Sequence, residues 1–228
     1  MEETPTPTPT TVDGPAPGRV PTWHARSGRL TPTKRAALDR LAATWGPPPT
    51  LRAPSHVALE IGAGSGEAAI ALALSRPGLH VVGAEVHAAT LASFALRAEA
   101  TGRDALANLS IVRGDGRDVL DTIPGTVVVV RAFFPDPWPK HRHRRRRLVD
   151  AAFAQAVATR LAPGGVMELA TDDASYAAAM AAVLGTTVGL VGGVAERADR
   201  PITHYERLAA AAGRTVVDLR YERVRTGP

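Results

Sequence analysis

The chain has 228 residues, 45% of them hydrophobic, with 27 Lys and Arg against 22 Asp and Glu, a formal charge of +5 and a pI of about 10.3. That is enough for one generous α/β domain with a full core, and the absence of cysteine excludes disulfides and thiolate metal sites. No amino-terminal apolar signal segment is visible and no run approaches eighteen apolar residues, so neither export nor a membrane span is expected, and a cytoplasmic protein is.

Residues 1–21 are rich in Pro and Thr and nearly free of large apolar groups. Such a stretch cannot bury enough surface to offset its ordering entropy, so it is expected to be a disordered extension. Residues 22–50 read as a helix and linker. The helix is predicted over Pro32–Trp45, with Thr31 as N-cap and Pro32 at the first helical position, and a proline cluster at residues 47–49 separates it from the main domain, 51–228.

From His56 onward short apolar runs alternate with longer helical patterns. Strands are predicted over 56–61, 80–84, 109–112, 126–131 and 165–170. Helices are predicted over 67–76, 88–101, 145–161 and 174–184. This alternation implies βαβ units and an α/β, Rossmann-like fold: a mostly parallel twisted sheet with helices on both faces. After Leu184 come a Gly-rich stretch, a short helix over 206–212 and an alternating run over 215–223. That run is expected to be an antiparallel edge strand closing the sheet.

The first strand ends in Glu60-Ile-Gly62-Ala-Gly64-Ser-Gly66-Glu67. A dinucleotide fingerprint starting at Gly62 would need glycine at position 67, where a carboxylate would instead repel a pyrophosphate. The pattern acid-x-Gly-x-Gly-x-Gly suits a ligand carrying an amino group and a sulfonium, as S-adenosylmethionine does. Glu85, at the end of the second strand and about twenty residues past the loop, is placed to accept bonds from both ribose hydroxyls. Asp115, after the third strand, either reads the adenine edge or caps a helix. Three acids at successive strand ends lie on the side where open α/β sheets bind ligands.

The densest stretch is Phe134-Pro-Asp-Pro-Trp-Pro-Lys140 with the block that follows it. Proline on both sides holds Asp136 on a stiff loop. Six of the 27 basic residues fall within residues 140–147. A rigid acid beside an aromatic and concentrated positive charge suits a site that reads a base while gripping phosphates. Trp138 either stacks on a base or packs the loop against the sheet. His141 and His143 read as phosphate neighbours; no acid or cysteine cluster accompanies them, and no metal is expected.

Taken together these residues resemble the bacterial tRNA (guanine-N7)-methyltransferases, a class I S-adenosylmethionine-dependent family, over about residues 26–223. Leu59-Glu-Ile-Gly-Ala-Gly-Ser-Gly-Glu67 is similar to the family's cofactor loop, and the Pro-Asp-Pro-Trp-Pro-Lys stretch to its most specific motif. Ala170-Thr-Asp172, Thr203-His-Tyr-Glu206 and Asp218-Leu-Arg-Tyr-Glu-Arg223 match as well. The resemblance implies cofactor contacts by Glu60, Gly62, Gly64, Glu85, Asp115 and Asp136, with Asp136 also the catalytic residue. It implies substrate contacts by Lys140, Asp172, Thr203, His204, Tyr205 and Glu206.

Arg142, Arg144, Arg145, Arg146 and Arg147 are expected on the RNA backbone. Asp172 has a competing role as a helix cap, and Glu206 as a local salt bridge. The chain departs from the family pattern at Lys34, His204, Tyr205, Leu208 and Ala209. The resemblance points to transfer of methyl to N7 of guanosine 46 in the tRNA variable loop by a monomer or homodimer. A small-molecule methyltransferase, or a non-catalytic RNA-binding protein on the same fold, are the competing readings.

Overall fold

The computed structural model describes residues 19–24, 28–46, 56–197 and 199–224. Helix α1 (Pro32–Trp45) precedes a run of β1 (His56–Ile61), α2 (Glu67–Ser75), β2 (His80–Glu85), α3 (Ala88–Thr101) and β3 (Leu109–Arg113). Next come α4 (Gly116–Thr122), β4 (Thr126–Phe133), a 3-10 helix (His141–Arg146), α5 (Ala151–Arg160) and β5 (Leu161–Thr171). The chain continues through α6 (Ala174–Gly185), β6 (Leu190–Ala195), α7 (His204–Ala211) and β7 (Val217–Arg223).

The strands form one sheet in the order β3-β2-β1-β4-β5-β7-β6. The first five in that order run parallel, and β7 pairs antiparallel with both β5 and β6. Strand order reverses between β1 and β4, the switch point at whose carboxyl ends open α/β sheets form a crevice. Alternation along β1 divides the core. Val57, Leu59 and Ile61 face Leu120 of α4, Phe153 of α5 and Tyr176 of α6, whereas Ala58 faces Trp45 of α1 and Phe94 of α3.

Several elements differ from the sequence expectation. The helix predicted over 145–161 is two pieces. The basic block makes a 3-10 turn, and α5 starts only after Asp150, whose carboxylate accepts from Phe153 N at 2.8 Å. Helix α4 was not predicted; it is seven residues long and depends on its cap.

The Gly-rich stretch forms β6, because a Cβ at Gly192 (φ +155) would meet Arg220 O at 2.1 Å. Glycine here permits close pairing with β7. Strand β7 is antiparallel as expected but lies inside the sheet, and β6 takes the edge.

Of the extension read over residues 1–21, residues 1–18 lie outside the described residues. The proline cluster at 47–49 does too. Residues 19–21 are held against the domain, with Arg19 ion-paired to Asp118 and Asp121. Among the described residues no helix is long and apolar enough to cross a membrane.

Candidate active site

The turn after β1 needs glycine for two reasons. Gly62 has φ +70 and an added Cβ there meets no atom within 4 Å, so the backbone edge is open. Gly66 has φ +81 and a Cβ would sit 2.0 Å from Phe94, so glycine lets the loop seat against α3. Beside this turn lies a cleft of about 700 Å³ at the carboxyl ends of β1, β2, β3 and β4, next to a second of about 760 Å³. Gly62, Gly64, Phe133, Phe134 and Tyr205 line both.

Glu60 borders the second cleft, is 4% exposed, and its Oε2 has no hydrogen-bond partner. Burial pushes its carboxyl up to about 7, against the pull of the Arg131 guanidinium. A buried acceptor without a donor beside an open cleft fits a cationic amino group brought by a ligand.

Glu85 is more committed than the sequence implies. Its Oε2 accepts from Gly64 N at 3.0 Å, and its Oε1 accepts from His87 N at 2.8 Å and faces His87 Nδ1 at 2.9 Å. Gly64 N and His87 N thus each occupy one accepting position, one on each carboxylate oxygen, and further positions remain on both. Asp115 lines the first cleft, but its carboxylate caps α4 through Arg117 N and is gripped by the Arg117 guanidinium at 2.6 Å. Between the two roles read for it, the side chain takes the cap.

Asp136 sits on the loop after β4. The loop is bracketed by Phe134 (φ +54) and Trp138 (φ +45), non-glycine residues in the left-handed region, where strain concentrates at functional sites. Several bonds hold it: Phe134 N donates to Ala170 O at 2.7 Å and Arg147 Nε to Pro137 O at 2.9 Å. Trp138 Nε1 donates to Thr22 O at 2.9 Å. His24 N and Nδ1 both lie within 2.8 Å of Asp136 Oδ2. Trp138 is 2% exposed, with the His24 ring stacked on it at 3.7 Å and the Arg146 guanidinium 4.6 Å from its ring, so it packs the loop instead of awaiting a base.

Beyond the loop, Lys140, Arg142, Arg144 and Arg145 are exposed. Arg147 is not. It is buried, bonded to Pro137 O, with its guanidinium 4.7 Å from the Tyr176 ring centre, and is removed from the set expected on an RNA backbone.

The carboxyl-terminal residues also divide. Asp173, not Asp172, caps α6, and Asp172 pairs with Arg214 at 2.7 Å. Thr203 caps α7, and His204 N donates to Glu67 Oε2 at 2.8 Å. The Glu206 carboxylate is held between Arg197 and the buried Arg200, which also bonds Asp218. The Thr203 hydroxyl thus caps α7, and the Glu206 carboxylate is engaged by Arg197 and Arg200 from outside that helix.

Tyr205 is 39% exposed and faces Phe134 across the junction of the clefts, ring centres 6.3 Å apart and planes 28° apart. Lys34 reaches Ala89 O on α3 at 3.1 Å, a packing contact. Sequence reasoning passed over Thr22, Trp23 and His87, which line the first cleft, and His24, which touches Asp136.

The sheet order, the glycine turn at the switch point and the acids around it define a class I methyltransferase fold. Two crystal structures share it: TrmN from Thermus thermophilus (TM-score 0.52, 18% identity, covering 84% of this chain and 48% of that one). The second is precorrin-6y C5,15-methyltransferase from Geobacter metallireducens (TM-score 0.52, 16% identity, covering 88% of this chain and 93% of that one). A family model described as "Putative methyltransferase" matches residues 54–219.

Among curated proteins, the tRNA (guanine-N(7)-)-methyltransferase of a Nocardioides species is 38% identical, over 93% of this chain and 91% of that protein. The protein of the same name from Methylococcus capsulatus is also 38% identical, over 95% of this chain and 99% of its own length. The chain belongs to the tRNA (guanine-N7)-methyltransferase family.

Proposed function

We propose that this chain transfers the methyl group of S-adenosylmethionine to N7 of a guanosine in tRNA, at position 46 of the variable loop, acting in the cytoplasm. The observation that carries this reading is Asp136, fixed on a strained loop at the edge of the cleft, with four exposed cations just beyond it. The names of the relatives support the same substrate.

Glu60 and the open Gly62 edge fit the amino-acid end of the cofactor, and Glu85 keeps an accepting position toward the ribose. When bound, the cofactor supplies an electrophilic methyl on sulfur. Guanine N7 has an in-plane lone pair and no proton, so no residue of this chain has to act as a general base. What the chain contributes is alignment and charge. Asp136 faces the purine as it gains positive charge, and a carboxylate is most effective where water is excluded. The same carboxylate suits the guanine N1–H and exocyclic amino group, a donor pair that adenine lacks.

The base enters beside Phe134 and Tyr205, whose rings flank the junction of the two clefts. Lys140, Arg142, Arg144 and Arg145 hold the phosphates. Their grip offsets the few kcal/mol, in order of magnitude, needed to displace a nucleotide from folded RNA.

Radiolabelled methyl transfer to bulk tRNA, followed by nucleoside mapping, tests the reading. Label as 7-methylguanosine at position 46 is expected. Label on another base or position, or none at all, overturns it.

A further inference from the structure

A short strap, residues 19–24, lines the first cleft through Thr22 and Trp23, touches Asp136 directly and bonds the partners of Asp115 and Glu85. Arg117, which grips Asp115, donates from Nη2 to Val20 O at 3.1 Å. His87 bridges Glu85 Oε1 through Nδ1 and His24 O through Nε2, at 2.9 and 2.7 Å. His24 meets Asp136 directly, with its amide and its ring aimed at one oxygen, at 2.7 and 2.8 Å. Arg19 pins the start of the strap to Asp118 and Asp121 on α4. Thr22 and Trp23 form part of the cleft wall.

We propose that His24 is a positioning residue for Asp136 and that the strap is the outer wall of the cofactor cleft, so that seating the strap sets the loop that carries Asp136. The proposal rests on the methyl-transfer reading. Two donors on one carboxylate oxygen define the plane of the group, which a single bond would leave free to rotate. A carboxylate accepts only, so the His24 proton sits on Nδ1.

The loop itself is strained at both ends, and its anchors are shared. Phe134 N and Pro137 O are held by the domain, whereas Asp136 and the indole N–H of Trp138 are held by the strap. Lifting the strap would strip one face of a nearly fully buried indole, leave its N–H without Thr22 O, and remove both His24 donors from Asp136 Oδ2. A seated strap therefore ties cofactor occupancy to the orientation of the acid.

The test uses the full chain with His24→Phe, which keeps a ring on Trp138 but removes the donor, and His24→Asn, which keeps a donor near the place of Nδ1 but removes the stack. Methyl transfer to tRNA should fall about tenfold or more in kcat for His24→Phe with KM for tRNA little changed, while His24→Asn stays within about threefold. Hydrogen exchange across residues 134–139 should be faster in His24→Phe than in the wild type and near wild type in His24→Asn. Adenosylhomocysteine should slow exchange across residues 20–24.

Wild-type kcat and loop exchange in His24→Phe would overturn the proposal. So would equal losses in both variants that simply follow the melting temperature, the sign of a structural role. Unchanged exchange of the strap on adding adenosylhomocysteine would overturn its part as a cleft wall. If the wild-type chain methylates no tRNA, the functional reading fails instead, and the exchange measurements still decide the role of His24.

Discussion

Replacing Glu60 by Gln should make the protein more stable at alkaline pH and a weaker binder of its cofactor. The Glu60 carboxyl rises from 4.5 to about 7 because it is buried, with Arg131 opposing. That displacement is worth about 3 kcal/mol at about 1.4 kcal/mol per tenfold. The acid is raised on folding, so the fold favours its protonated form. Stability from this group is fully present below pH 4.5, declines as pH rises, and is lost above about 7.

Gln keeps the shape and carries no charge. Glu60→Gln should therefore match the wild type near pH 4 and exceed it at pH 8 by up to about 3 kcal/mol, a rise of several degrees in Tm for a domain of this size. On the proposed function, the orphan Oε2 is the acceptor offered to the ligand's cationic amino group. Wild-type affinity for adenosylhomocysteine, measured by calorimetry, should therefore tighten as pH rises toward 7 and then level, and Glu60→Gln should be weaker and nearly flat across that range. A Glu60→Gln protein no more stable than wild type at pH 8, or a wild-type affinity independent of pH between 5.5 and 7.5, would show that the buried Glu60 charge does not cost about 3 kcal/mol.

Asp136→Asn should lower kcat by about a hundredfold while calorimetric cofactor affinity is largely retained, since the lost interaction acts mainly on charge developing in the base. Arg142→Ala, Arg144→Ala and Arg145→Ala should each reduce the salt dependence of tRNA binding by about one phosphate's worth in a log–log plot. Arg147→Ala should leave that slope unchanged and cost about 2 kcal/mol in chemical denaturation, because it removes a buried guanidinium from Pro137 O and Tyr176. Gly66→Ala should cost at least about 2 kcal/mol in the same assay, through its left-handed φ and the clash with Phe94.

Much of this protein was legible along the chain because local chemistry decides it. The short apolar runs of β1 and β2, the Thr31 cap with Pro32 behind it, and glycines at a strand end are all set by near neighbours, and the acid-x-Gly-x-Gly-x-Gly spacing favours a sulfonium over a pyrophosphate without any knowledge of packing. The same locality explains the misses. The Gly-rich stretch carried no strand pattern of its own; it becomes a paired strand through the close approach of Arg220 and Tyr221 to Gly192.

Arg147 read as one more phosphate contact because it ends a run of four arginines, yet the carbonyl of Pro137 and the ring of Tyr176 draw it inward. For Asp115 and Glu206 the sequence offered two roles each, and the folded chain shows the cap for Asp115 and ion pairs with Arg197 and Arg200 for Glu206. Least legible was His24, 112 positions from Asp136 in the chain and in contact with it in space. The sequence pointed to a class of ligand and to the acid proposed to serve it; which charges are taken by neighbours, and what holds that acid in place, was decided by tertiary contacts, because a side chain's availability depends on its partners and not on its type.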